Sequence, residues 1–252
     1  AALPEHIKPV RPGLEGGKYN PLSEADVLRI HNAALDALEQ IGLADAPQSG
    51  IDAMVAAGAD YRDGRVYFSR ALVEDMLGKA ARGVALHARD PNHDLDLSGT
   101  KVHFGTAGAA VHIVDVEDNS YRDSTTIDLL HAAQIVQACD NIHFLQRPMV
   151  CRDIEDNFDL DINTIYASCA GTTKHIGTSF SEPHHVMGCV ELLHMIAGGE
   201  DKWRERPFVL NTNCFVVPPM KFATESCEAM ELCIEAGMPI LLLSAGQAGA
   251  TA

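Results

Sequence analysis

His175-Ile-Gly-Thr-Ser-Phe-Ser-Glu-Pro-His-His-Val-Met-Gly-Cys-Val-Glu-Leu-Leu-His-Met-Ile196 passes from a four-residue apolar strand, through a polar loop, into an amphipathic helix. The same passage recurs on both sides of it. Strand-like segments Ile142–Leu145, His175–Thr178, Phe208–Asn211 and Ile240–Leu243 start about 33 residues apart. That is the length of a right-handed crossover that returns the chain to a parallel sheet. Helical patterns fill the gaps at Thr126–Ala138, Asp156–Cys169, Pro183–Ile196 and Thr224–Ala236, with Phe158, Ile162, Ile165 and Cys169 sharing one face of the second.

Such a βα repeat suits a doubly wound sheet or a (β/α)8 TIM-type barrel. No GxGxxG or GxxxxGK[ST] opens a helix, which removes the usual nucleotide-binding reason for the first. The expected fold class is therefore α/β, a barrel. Four clear units, with a fifth strand near Lys101–Thr106, are too few to close eight strands. The sequence thus reads as the N-terminal half of a longer protein, ending after a strand and before its helix.

Ahead of the repeat lies a mixed α+β extension over residues 23–123. Ser23 is placed as an N-cap, followed by Val27, Ile30, Ala34, Leu38 and Ile41 at helical spacing up to Gly42. Shorter helical patterns near 49–57 and 69–81 flank a strand-like Arg65-Val-Tyr-Phe68, and 84–123 alternates like strands broken by turns. Residues 1–22 hold five prolines or glycines before residue 17 and read as an extended arm, crossing either a neighbouring subunit or its own barrel. The expected organisation is thus an arm (1–22), an α+β region (23–123) and barrel units (124–252).

With 19 Lys+Arg against 35 Asp+Glu, the formal charge is −16. Nucleic-acid binding is excluded as an expectation, because that affinity comes from basic side chains neutralising phosphates. No apolar run approaches the ~18–20 residues of a membrane span. No export signal is visible, and seven cysteines without a CxxC pair point to a reducing cytoplasm.

In a barrel the loops after the strands gather at one rim, which holds the active site. On that basis Arg147, Asn211, Asn213, Ser244 and Gln247 are candidate polar contacts, and Phe104, Phe180 and Phe215 candidate walls for an apolar or cationic ligand. Thr106 lies in the same rim sequence. Gly105 and Gly108 offer the close backbone approach that a large cofactor or an anion would need, or else a tight hairpin. Cys151 and Cys214 read as buried small residues. The acidic stretch Asp153, Glu155, Asp156, Asp159 and Asp161 reads as a solvated helix start, and the histidines at 184 and 185 as solvent-facing. A metal constellation is available in His184, His185, Glu191 and His194, of which His184, Glu191 and His194 would suit a metal-assisted lyase or hydrolase. It lies on a helix that a barrel holds away from its rim, so no metal is assigned.

The combination of Leu86-His-Ala-Arg-Asp-Pro91, His103-Phe-Gly-Thr-Ala-Gly108, Asp140-Asn-Ile-His-Phe144, Arg147-Pro148, Lys174-His175 and Ser244-Ala-Gly-Gln247 resembles the trimethylamine methyltransferase family, which includes glycine-betaine-type enzymes. The resemblance runs from about Pro12 to Ala252, and members are roughly twice this length. It implies a barrel whose mouth binds a methylated tertiary or quaternary amine and docks a separate corrinoid protein. The cobalt then accepts the methyl group. It also implies that the chain itself binds no cofactor, that Thr106 and the rim residues above contact the substrate, and that Gly105 and Gly108 face the corrinoid. Arg147 would meet the carboxylate of a betaine. The founding members use pyrrolysine in their second half, whereas many relatives lack it. A cytoplasmic homo-oligomer is expected, and the remaining alternative is a quaternary-amine-binding protein without catalysis.

Overall fold

In a computed structural model the structure describes Pro4 and residues 8–244. Its contacts divide the chain into two compact units. The first comprises the chain up to Gly16, Gly83–Thr212 and Leu232–Leu241. The second comprises Gly17–Arg82, Asn213–Glu231 and the residues from Leu242.

The first unit is built on parallel strands. Strand Phe144–Gln146 pairs with His175–Thr178, which pairs with the start of Val209–Val217. Beyond it, the Asn211 N–H donates to the Pro239 carbonyl, where strand Ile240–Ser244 begins. On the other side, the chain bridges Phe144 in parallel at Gly105 and Met149 at Ala110. The expected fifth strand is therefore present as a pair of bridges, while Lys101–Val102 itself pairs antiparallel with Leu14–Glu15 of the arm. Helices Thr126–Ala138, Asn157–Gly171 and His185–Ala197 lie between the strands in sequence, so the unit is α/β. Among the described residues the strands do not close into a barrel.

In-register neighbours share a sheet face. Leu145, Ile176 and Val209 form one buried row, each 1% exposed or less. Beneath the strands, Leu129 and Ala167 from two helices pack with Met149 and Cys151. Gly171 comes so close to Ala133 that a Cβ there would collide with it.

The helices start on side-chain caps. Thr125 forms a capping box with Asp128, and Asp156 accepts from the Asp159 N–H. Their C-terminal ends are held by cations from outside the helix. Lys174 Nζ donates to the carbonyls of Val136, Cys139 and Ile142 at 2.7, 2.9 and 2.6 Å. Arg89 reaches those of Cys169 and Thr172 in the same way. Arg204 donates to Glu235, and the Trp203 indole N–H to Ala236 at 2.8 Å. Each clip satisfies carbonyls that the helix cannot pair, and the lysine and arginine clips set positive charge at the negative end of the dipole. Helix His185–Ala197 ends instead on Gly198 in the left-handed region, φ 85°.

The second unit holds helices Glu24–Gln40, Gln48–Ala56 and Arg70–Lys79. Ser23 caps the first in a capping box with Asp26, as its position in the sequence predicts. Strands Asp60–Arg62 and Arg65–Tyr67 form a hairpin, Leu43–Ala44 adds antiparallel to it, and Lys221 pairs with Ala44 in parallel. Val216–Val217 folds back on Lys221–Phe222. The strand expected to stop at Asn211 thus runs on to Val217, because Asn213, Phe215 and Val217 continue its period-2 pattern into a second pairing. A short helix at Glu200–Glu205, absent from the sequence expectation, precedes that strand.

Candidate functional site

In the first unit, the C-terminal ends of the parallel strands carry the polar groups. Gln146 leans across Gly177 and donates from Nε2 to Thr212 Oγ1 at 2.8 Å. Thr106 Oγ1 donates to the Gln146 carbonyl at 2.5 Å. A Cβ at Gly177 would land on the Gln146 amide. Gly177→Ala is therefore expected to cost roughly 1–3 kcal/mol by overpacking, read by urea denaturation. The loss should shrink in Gly177→Ala/Gln146→Ala, where the colliding group is gone.

Beside this row lies a buried charge cluster. The Asp161 carboxylate, 2% exposed, accepts from the Ser181 N–H and Oγ at 2.8 and 2.9 Å and from His185 Nδ1 at 2.8 Å. The His185 ring is buried between Phe158 and His184, with ring centroids at 5.4 and 4.3 Å. Arg147 is half-buried and feels the charge of Asp161 in this cluster. Its backbone N–H donates to the Gly177 carbonyl, while its guanidinium makes no hydrogen bond or ion pair with the described residues. Burial lowers its pKa, and the charges of Asp161 and Cys151 act against that shift. Burial also raises the Cys151 thiol, which removes it as a ready nucleophile at neutral pH.

Asp161 and His185 correct the sequence reading, which left both in solvent. A signal existed. Asp161, Thr164, Ile165 and Ser168 fall at i, i+3, i+4 and i+7, the inward stripe of their helix, and all are buried. His184 stays exposed while His185 turns inward, because helix neighbours lie about 100° apart.

The expected rim residues are distributed over both units. Thr106, Arg147 and Phe180 belong to strand ends of the first unit. Phe104 sits at the opposite end of its ladder, since the parallel bridge begins only at Gly105. Its N–H donates to His143 Nδ1 at 2.9 Å, and His143 Nε2 meets the Val10 carbonyl of the arm. Gly105 is needed because a Cβ would strike the Phe144 ring, and Gly108 adopts φ 128° beside the Pro148 carbonyl. Both glycines thus have a packing role. Asn211 is buried on the Val209 face, in contact with the Cys233 thiol, and keeps Nδ2 without a partner. In the second unit, Asn213 donates to the Ser226 carbonyl, Phe215 packs with Leu43, Phe222 and Cys227, and Ser244 Oγ donates to the Val216 carbonyl at 3.2 Å. Strand parity explains the two asparagines: odd positions of Val209–Val217 share a face, and contacts from that face go to helix Thr224–Glu235. Gln247 lies outside the described residues. Among the described residues, Glu191 is exposed and His194 packs beside Trp203, so neither joins His184 in a ligand cluster.

A profile of the family described as trimethylamine methyltransferase matches residues 5–252. The chain belongs to the trimethylamine methyltransferase family. Trimethylamine methyltransferase MttB of Desulfitobacterium hafniense is 28% identical over 240 residues, 94% of this chain and 48% of that protein. A glycine betaine methyltransferase of the same species is 28% identical over 235 residues, covering 93% of this chain and 48% of its own length. Trimethylamine methyltransferase MttB1 of Methanosarcina acetivorans is 24% identical over 242 residues, 94% of this chain and 49% of that protein. The chain spans about half the length of these relatives. Among the family-like motifs, Arg89 and Lys174 are the clips on helix ends and His143 ties down the arm, so much of the resemblance lies in scaffold. No helix among the described residues is long and apolar enough to cross a membrane.

Proposed function

We propose that this trimethylamine-methyltransferase-family protein moves a methyl group from a tertiary or quaternary amine to the cobalt of a corrinoid held by a separate protein. The observation that carries this reading is the match, over some nine-tenths of the chain, to methyltransferases named for two different methylated amines. The cobalt supplies the nucleophile. A quaternary nitrogen leaves as a neutral amine, so the protein's task is to hold and desolvate the substrate rather than to activate a nucleophile of its own. Strand ends whose Cys151 thiol burial keeps unactivated suit that task. In the same reading, the parallel strands are the opening units of a (β/α)8 barrel, and the protein works as a cytoplasmic homo-oligomer that docks the corrinoid protein. The 33-residue spacing and the parallel register support the barrel.

Arg147 points to a carboxylated substrate, a betaine. Its half-buried guanidinium lacks a hydrogen-bonding partner, and a substrate carboxylate would supply one in bidentate form. Arg147→Ala is expected to weaken glycine betaine binding by about 2 kcal/mol, ~30-fold, and to leave trimethylamine binding unchanged. Calorimetric titration with glycine betaine, carnitine, proline betaine and trimethylamine, followed by cob(I)alamin methylation with whichever binds, tests both statements. Equal losses for betaine and trimethylamine would remove the carboxylate role. A folded protein that methylates cob(I)alamin with none of these amines would end the methyltransferase reading.

A further inference from the structure

The loop after strand His175–Thr178 gathers Glu182, His184 and His185 so that one ligand atom from each lies within 4.8 Å of the others. We propose that these three side chains form an open site for one divalent transition-metal ion, zinc being the probe of choice. The site is independent of the methyl-transfer reading; it keeps His184 and His185 of the pattern visible in the sequence and sets Glu182 in place of Glu191 and His194.

His185 is the fixed member. It is 3% exposed, and its Nδ1 lies 2.8 Å from the Asp161 carboxylate, itself held by the Ser181 N–H and hydroxyl. A carboxylate accepts, so Nδ1 carries the proton and Nε2 keeps its lone pair. Nε2 makes no hydrogen bond among the described residues, so it is the ring atom the proposal assigns to the metal. A carboxylate behind a histidine is the usual outer support of a metal-bound imidazole, fixing its tautomer and raising its basicity.

Glu182 and His184 are the adjustable members. Glu182 Oε1 accepts from Asn157 Nδ2 at 3.1 Å, and Oε2 lies 3.5 Å from His184 Nδ1. Both side chains reach solvent, so they can rotate to the ~2.0–2.2 Å ligand distances of zinc without disturbing the core. Two imidazoles and one carboxylate suit zinc or cobalt, not calcium or magnesium, which prefer all-oxygen shells. The fourth position opens to water, as in three-ligand sites. A cation at the start of helix His185–Ala197 meets an unfavourable dipole, and the carboxylates of Glu182 and of Asp161, bonded to His185 from the neighbouring helix, offset it.

The test is titration of the chelator-stripped full chain with Zn²⁺ and Co²⁺, read by calorimetry and by the visible bands of four-coordinate cobalt. One ion per chain is expected. Glu182→Gln and His184→Ala should each weaken binding at least ~10-fold, and Asp161→Asn by ~10–100-fold through the loss of outer support. Glu191→Gln should bind like the parent. His185→Ala removes a buried ring and is informative only if it folds, so Glu182→Gln and His184→Ala decide the matter. Substoichiometric uptake by the parent, or parent-like affinity in both of those variants, would overturn the proposal.

Discussion

Replacing Lys174 with methionine should cost roughly 3–5 kcal/mol of stability and lower Tm by about 10 °C. Lys174 is 3% exposed and its ammonium bonds three carbonyls at the end of helix Thr126–Ala138 and the turn after it. Methionine keeps the packing of the methylene stem but leaves those carbonyls unpaired where water has little access, and hydrogen bonds to a charged group contribute about 1.5–3 kcal/mol each. Burial lowers the Lys174 pKa, with Asp140 and Cys139 opposing the shift, so the ammonium depends on its carbonyls to stay charged there. Arginine should not restore full stability, because a planar fork cannot aim at three converging oxygens as an ammonium does. Urea and thermal unfolding of the three proteins give the comparison. A methionine variant within about 0.5 kcal/mol of the parent, the range of a neutral surface change, would show that water reaches these carbonyls after all.

Acid should destabilise the first unit well before its carboxylates protonate. His175 is fully buried, its Nδ1 donates to the His87 carbonyl at 2.6 Å, and its Nε2 has no partner. Burial drives its pKa down from 6.5 to about 4, with the His87 hydrogen bond acting against the shift. The unfolded chain then binds a proton that the folded chain refuses. Stability from this group is complete above about pH 6.5 and is lost as pH falls towards 4, for a total of about 3 kcal/mol. Stability measured from pH 7 to 4 in the parent and in His175→Gln should converge as pH falls, since the variant lacks the titration. Parallel curves would assign the acid loss to other groups.

The sequence predicted the crossover helices closely. Thr126–Ala138 appears with the bounds read from its helical pattern, and strand His175–Thr178 likewise. These elements are legible because Thr125 with Asp128, and an apolar run closed by polar residues, are local signals that tertiary contacts only reinforce. The candidate site was less legible. Which side of a strand Asn211 and Asn213 face follows from the register Gly177↔Leu210 and Thr178↔Asn211, a non-local quantity. Where Phe104 lies along the sheet is likewise fixed by Phe144, forty residues on in sequence, which bridges its neighbour Gly105. Lys174 and Arg89 stood in the family-like motifs without a visible role, since each works on carbonyls that helix formation leaves behind more than thirty residues away.

Helix ends normally fray, and their last amides exchange with solvent on their own, without waiting for the rest of the domain to open. The cationic clips alter that at one end of the first unit. The amides of Cys139 and Thr172, which donate to Ile135 and Ser168 in the turns held by Lys174 and Arg89, should exchange deuterium about as slowly as those in mid-helix. The amides of the loop around Ser179 and Phe180 should exchange early. The unit would then be stiff where its helices finish and compliant where a ligand enters, a gradient of local opening running along the strands.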